Sequence, residues 1–166
     1  MYKEIVVENK SKSISKDMKN LAPISAQALR EKFGSTSHTY SNTKENLESL
    51  WEEVRDELSI KSKVDNWTST IRTLYGYEPG ISLFLDHTYL DILAKIAVYL
   101  KFEKSPPDRD EILDIISGKY FTAKGIANFQ EEDFSLWLLS PEIEDESLAL
   151  FCNLSDALAN YDFSKI

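Results

Sequence analysis

The length and composition of the chain predict one helical domain, because 166 residues can enclose a hydrophobic core and 5 glycines and 5 prolines are too few for a loop-rich β protein. The formal net charge of −9 is unevenly spread, since residues 1–40 hold seven basic and four acidic residues, a net +3, and residues 41–166 carry −12. This acidity argues against tight binding of duplex DNA by the chain alone. The simplest explanation of the negative charge is that it keeps the protein soluble.

The first 20 residues are rich in lysine and serine and predict a flexible basic arm, followed by a helical domain at residues 21–166. Residues 2–7 are compatible with a short strand or an extended segment. The arm has no signal-peptide core. The single cysteine, Cys152, excludes an internal disulfide and suggests a reducing compartment, so we expect the protein to be located in the cytoplasm. Four lysines of the arm can touch DNA phosphates weakly or simply be solvated: Lys10, Lys12, Lys16 and Lys19.

Apolar periodicity predicts about six or seven helices, which assigns the chain to the all-α class as a multi-helix bundle. Gly34 ends the first helix, the polar tract at residues 35–43 is predicted as a loop, and Asp108 or Asp110 can cap the helix that ends near Gly118. The predicted helices lie at about residues 25–33, 44–58, 63–75, 83–102, 108–118, 131–139 and 144–160.

Residues 83–102 are the longest apolar stretch and contain neither glycine nor proline. A helix that is apolar on nearly every side belongs at the centre of a bundle, so we predict that Leu90 and Leu93 are buried. Asp86, His87, Asp91 and Lys95 interrupt the stretch too often for an easy membrane span. Three polar residues repeat at four-residue spacing and form one narrow stripe: His87, Asp91 and Lys95.

The Asp86-His87 pair is the one arrangement in the chain that suggests catalysis, because His87 can act as a base oriented by Asp91 one turn further on. A histidine and an aspartate one helical turn apart more commonly satisfy each other, so we interpret the stripe as structural. The sequence holds no dinucleotide-binding loop, P-loop, nucleophile elbow or metal-ligand spacing. We therefore assign no catalytic, cofactor-binding or metal-binding residue to this chain.

Two other patterns admit a functional and a structural interpretation. The acidic residues 131–133 can bind a divalent ion or occupy the first turn of a helix, where the macrodipole favours them, and we prefer the helix turn. A run of aromatic residues can stack on bases or form core, and core is the commoner role at helical spacing. These aromatic residues are Trp51, Trp67, Tyr75, Tyr77, Phe84, Tyr89 and Tyr99.

Three stretches, taken in order, resemble a known family: FLDHTYLDILAK at residues 84–95, IISGKYFTAKGIANF at 115–129 and EDFSLW at 132–137. They resemble the helical region that precedes the catalytic domain in large N6-adenine DNA methyltransferases of restriction-modification systems. That region has a His-Thr-Tyr-Leu helix, a Gly-Xaa-Xaa-Phe segment, a Gly-Ile turn and an Asp-Phe-Xaa-Xaa-Trp helix. The resemblance covers about residues 80–166.

The resemblance implies a non-catalytic helical domain that packs against the catalytic methyltransferase domain of the same parent chain and helps to position DNA or partner elements. Contact with DNA would be weak or indirect. The family's motifs for S-adenosylmethionine and for the flipped adenine are absent, and Pro106-Pro107 follows Ser105 rather than an asparagine. S-adenosylmethionine would therefore bind to the parent protein, of which we expect this chain to be an N-terminal piece. The alternative is a stand-alone acidic helical module for protein–protein interaction.

Overall fold

The computed structural model describes residues 21–131 and 133–164, which form eight α-helices, one 3₁₀ helix and two short strands. The predicted all-α bundle is confirmed, whereas the predicted arm and the strand at residues 2–7 lie outside the described residues. The elements are β1 (Ala22–Pro23), α1 (Ala26–Phe33), α2 (His38–Val54), α3 (Leu58–Tyr75), α4 (Ile81–Glu103), α5 (Arg109–Ile116), α6 (Lys119–Ala123), α7 (Asn128–Glu131), the 3₁₀ helix (Asp133–Leu139), α8 (Glu144–Leu158) and β2 (Tyr161–Asp162).

β1 and β2 bring the two ends of the described chain together as a parallel pair. Ala22 lies opposite Tyr161, and the Ile24 N–H donates to the Asp162 carbonyl at 3.0 Å. The Tyr161 ring meets Phe33 of α1 edge to face, with ring centroids 6.3 Å apart. The sequence did not predict this pair, because two-residue strands are too short to show an alternating pattern.

Several helix ends follow the capping rules that the sequence suggested. Asp108 starts α5 with a capping box, in which its Oδ1 accepts from the Glu111 N–H at 2.9 Å and Glu111 Oε2 accepts from the Asp108 N–H at 2.8 Å. Gly76 ends α3 in the left-handed region, with φ of 72°. The Ser25 hydroxyl accepts from the Ala28 N–H at 3.1 Å and starts α1.

The loop predicted at residues 35–43 is wrong from residue 38 onward, where α2 begins. The Ser37 hydroxyl caps the helix by accepting from the Tyr40 N–H at 3.1 Å. The Tyr40 ring then packs edge to face on Tyr89 of α4 at 5.3 Å, and Thr43 is buried. The serines, threonines and asparagines of this segment are weak helix formers. Tertiary contacts therefore stabilise its helical conformation.

The helix predicted at residues 44–58 ends at Val54, so its expected apolar residue Leu58 starts α3 instead and is 85% exposed. The chain turns at Glu57, whose backbone is extended. Its carboxylate accepts a hydrogen bond of 2.7 Å from the Ser140 hydroxyl, which ties the turn to the residue that follows the 3₁₀ helix. Because α3 is a separate helix, Leu58 does not continue the apolar face of α2, and its side chain lies in solvent.

α4 lies at the centre of the bundle, where it packs against α2, α5, α8 and the 3₁₀ helix. Ile92 and Ile96 are completely buried, but the prediction that Leu90 is core is wrong, because its side chain is 59% exposed. Leu93 is half-buried and packs on the core. One side of α4 is therefore incompletely covered. Among the described residues, no helix combines the length and apolarity that crossing a membrane requires.

Candidate functional site

The polar stripe predicted from the sequence lies on the side of α4 that meets α3, α5 and the 3₁₀ helix. His87 is half-buried against Trp67 of α3, and the two rings meet edge to face at 5.4 Å. The Trp67 indole N–H donates to His87 Nδ1 at 3.3 Å. Because Nδ1 accepts, the neutral imidazole carries its hydrogen on Nε2.

Asp91 and Lys95 form a buried ion pair, with side chains that are only 4% and 1% exposed and with Lys95 Nζ 2.8 Å from Asp91 Oδ2. Lys95 Nζ also donates to Ser135 Oγ at 3.0 Å and to the Ile116 carbonyl at 3.3 Å. Two of these oxygens accept hydrogen bonds from the ammonium group, whereas Asp91 Oδ2 is held by charge and accepts no hydrogen bond of good geometry. A charge at this depth is stable only when it is paired and hydrogen-bonded, and this one is both.

His87 and Asp91 are therefore each engaged with a different neighbour, His87 with Trp67 and Asp91 with Lys95. This is not the arrangement in which a carboxylate orients a histidine base by accepting from its ring N–H. The described residues also contain no group of three or more histidine, cysteine, aspartate or glutamate side chains that could hold a metal ion. The geometry of the stripe is that of a packed polar network.

A second polar cluster, which the sequence did not reveal, joins α2 to the start of α4. Asp86 pairs with Lys44 and accepts from the Tyr40 hydroxyl at 2.6 Å. The Lys44 ammonium also donates to the Ser82 carbonyl at 2.7 Å. The hydrogen bond to Asp86, reinforced by burial and by the negative charge of Asp86, raises the pKa of Tyr40 to about 12. No local spacing could predict a pair separated by 42 residues.

The three stretches that carry the family resemblance meet around Lys95. From the first stretch, Lys95 donates to the Ile116 carbonyl of the second and to the Ser135 hydroxyl of the third. The Trp137 indole N–H of the third stretch donates to Thr88 Oγ1 of the first at 3.3 Å, and both residues are buried. Side chains that lie far apart in the sequence thus meet in the core. We call this set of contacts the Lys95 junction, and its members are Thr88, Asp91, Lys95, Ile116, Ser135 and Trp137.

An apolar groove of about 680 Å³ opens between α3 and α4. Leu74 on α3 and Leu90 on α4 line it while remaining 69% and 59% exposed. Beyond Ile71, residues 72–78 are all exposed, so the end of α3 leaves this part of the groove open to solvent. The other lining residues are Lys63, Asn66, Trp67, Thr70, Ile71, His87, Asp91, Ala94, Phe129 and Phe134.

The aromatic residues divide between the core and the surface. The prediction that they are core is wrong for Tyr75 and Tyr77, which are exposed, with ring centroids 6.1 Å apart. Both flank Gly76, where α3 ends and the chain crosses to α4 outside the bundle. Five of the seven aromatic residues are buried and cannot stack on bases: Trp51, Trp67, Phe84, Tyr89 and Tyr99.

Several candidate residues lie where the structure describes no side chain. They include the four lysines predicted to touch phosphates, Lys10, Lys12, Lys16 and Lys19, and also Glu132 of the acidic cluster. The roles proposed for them stay predictions.

Comparison with protein-family models, with curated proteins and with solved structures finds no match to this chain. Function is therefore inferred from the contacts within the molecule and from the three stretches that meet at the Lys95 junction. The α3–α4 groove combines exposed leucines with one imidazole and one paired carboxylate, a combination typical of a binding surface.

Proposed function

We propose that the chain is a non-catalytic helical domain of an N6-adenine DNA methyltransferase of a restriction-modification system. The observation that carries the proposal is the Lys95 junction, because the three stretches that resemble the family are the same three that Lys95 joins. Their most characteristic residues, Thr88 and Trp137 among them, are buried and hydrogen-bonded to one another. The resemblance therefore concerns an architecture rather than a reaction centre.

In this proposal the α3–α4 groove is the face that packs against the catalytic domain of the parent chain. Domain interfaces within one chain resemble transient protein interfaces, which combine apolar anchors with polar groups. Leu74 and Leu90 supply such anchors in the groove, and His87 is one of its polar lining residues. S-adenosylmethionine and the target adenine would bind in the catalytic domain. The helical domain of residues 21–166 would touch DNA only weakly or indirectly. We place the protein in the cytoplasm.

The test begins with the natural gene, whose complete coding sequence should contain the two methyltransferase motifs that residues 1–166 lack. The complete protein should transfer labelled methyl groups from S-adenosylmethionine to adenine in DNA. A variant carrying Leu74→Asp and Leu90→Asp should lose most of this activity, because two charges would enter the proposed domain interface. Leu29→Asp is a control for the effect of a new surface charge, because Leu29 is exposed on α1 and does not line the groove.

Circular dichroism of residues 1–166 should show that both variants keep their helices. The proposal fails if the complete coding sequence lacks methyltransferase motifs, or if the complete protein methylates no DNA. If the groove variant methylates as well as the Leu29→Asp control, the α3–α4 groove is not the domain interface.

The second candidate is a stand-alone acidic module for protein–protein interaction, which the same exposed groove favours. Apolar side chains as exposed as Leu74 and Leu90, side by side on one groove, are typical of protein interfaces. A coding sequence without methyltransferase motifs would favour this candidate, and the groove would then bind a separate protein.

A further inference from the structure

A second groove, of about 530 Å³, lies between α2 and the first turns of α4, and its chemistry differs from that of the α3–α4 groove. Trp51 and Leu85 form its buried floor, and Ile81 is an exposed apolar side chain at its edge. Its rim is acidic. The polar lining residues are Glu45, Glu48, Ser49, Glu52 and Ser82.

The carboxylates of the rim have few positively charged neighbours among the described residues. Glu45 and Glu48 are exposed, and no ion pair joins either to a described cation. Among the described cations Glu52 pairs with Arg55, three residues later at the C-terminal end of α2, at 3.0 Å. Lys44 is the nearest cation along α2, but its ammonium is already bound to Asp86 and Ser82. The apolar floor is thus bordered by a row of carboxylates.

The two grooves lie on opposite sides of α4. Positions 81, 82 and 85 line the acidic groove, whereas positions 87, 90, 91 and 94 line the α3–α4 groove. At about 100° of rotation per residue, the centres of these two sets are about 180° apart around the helix axis. A ligand in one groove therefore leaves the other open.

We propose that the α2–α4 groove docks a cationic amphipathic helix of a partner protein. One apolar side chain of that helix would lie on Trp51 and Leu85, and lysines or arginines one turn away would pair with Glu45 and Glu48. The charge of the rim identifies the partner, since carboxylates attract a basic helix and repel duplex DNA or an anionic membrane. Helices commonly bind in this mode, with anchors spaced three or four residues apart.

The probe is a fluorescein-labelled synthetic helix with leucines at positions i, i+4 and i+7 and lysines on both sides of them. A second peptide carries glutamate in place of every lysine. We expect the lysine peptide to raise its anisotropy on titration with the 166-residue protein, with affinity that falls as salt rises, and the glutamate peptide to show no binding. Ile81→Asp, which places a charge at the edge of the apolar floor, should weaken binding of the lysine peptide.

The decisive comparison uses two double variants with the same change in net charge. Glu45→Lys with Glu48→Lys should weaken binding of the lysine peptide about tenfold, because two attractions become repulsions. Glu146→Lys with Asp156→Lys changes two exposed residues of α8 and should stay within about twofold of the wild type.

Three results would overturn the proposal. The α8 variant could weaken binding as much as the groove variant, which would show attraction by net charge alone. The glutamate peptide could bind as well as the lysine peptide. Removal of residues 1–20 could tighten binding several-fold, which would identify the chain's own basic arm as the occupant of the groove.

Discussion

Replacing Lys95 with methionine tests whether the Lys95 junction holds the fold together. Methionine keeps the length of the side chain but leaves the Asp91 carboxylate, 4% exposed, without its cation. The Ser135 hydroxyl and the Ile116 carbonyl lose their donor at the same time. Breaking a buried ion pair by removing one partner costs about 3–5 kcal/mol. We expect the lower end of that range, because Asp91 borders the α3–α4 groove and water can partly replace the ammonium.

Urea unfolding followed by tryptophan fluorescence measures this loss. A loss of about 3 kcal/mol corresponds to a melting temperature lower by about 6–12 °C in a protein of this size. Asp91→Asn completes a double-mutant cycle with Lys95→Met, and the double variant should be more stable than the sum of the single losses predicts, by about 1–3 kcal/mol. Lys61→Met is the control, because Lys61 pairs with Asp56 at 3.3 Å on the surface and such pairs contribute less than about 1 kcal/mol.

Two outcomes would contradict this reasoning. Lys95→Met could be as stable as Lys61→Met, which would mean that the buried pair adds nothing to the fold. The two substitutions could also be strictly additive, which would mean that Lys95 and Asp91 act independently despite their separation of 2.8 Å.

Four further predictions concern the core, a tyrosine, the cofactor and DNA. Ile92→Ala should cost about 2–5 kcal/mol in urea unfolding, and the exposed Leu90→Ala should stay within about 0.5 kcal/mol of the wild type. The pKa of Tyr40 is raised to about 12 against about 10 in the unfolded chain, so its bond to Asp86 stabilises the fold below pH 10 and is lost as the pH rises through about 12. Urea unfolding across that interval should show the stability advantage of the wild type over Tyr40→Phe shrinking, and a constant difference would contradict the assignment. Isothermal titration of residues 1–166 should detect no S-adenosylmethionine binding, and micromolar affinity would refute this expectation. Duplex DNA should bind weakly, with a log–log salt slope of roughly −2 to −3 that disappears when residues 1–20 are removed.

The sequence predicted the helices well where apolar periodicity and capping residues agree. α1 starts after Ser25 and ends before Gly34, and the Asp108 capping box starts α5, as the local rules predict. The start of α2 was missed because its first turns contain no apolar periodicity, and contacts such as Tyr40 on Tyr89 stabilise it instead. Such contacts depend on the tertiary arrangement, and the helix propensities of single residues carry no information about that arrangement.

The exposed position of Leu90 illustrates a different limit. An apolar run predicts that a helix lies in the core, but it does not say which neighbours cover each side of that helix. Beyond Ile71 the residues of α3 are exposed, and Leu90 on the facing side of α4 stays uncovered. α3 itself begins after the turn at Glu57, whose carboxylate accepts a hydrogen bond from Ser140, 83 residues away. The α3–α4 groove is thus a property of the packing and could not be located from α4 alone.

The buried polar groups explain why the three family-like stretches can specify one arrangement. Apolar side chains of similar volume can repack in several ways, whereas the Lys95 ammonium must find three oxygens in fixed directions. Asp91 lies on the same helix and was predictable from spacing, but Ile116 and Ser135 meet Lys95 only when α5 and the 3₁₀ helix lie in the observed positions. A packing that moved Ile116 and Ser135 away from Lys95 would bury the ammonium with unsatisfied donors, at a cost of several kcal/mol. Lys95 therefore favours the observed packing of α4, α5 and the 3₁₀ helix, and the α3–α4 groove lies on the bundle that results.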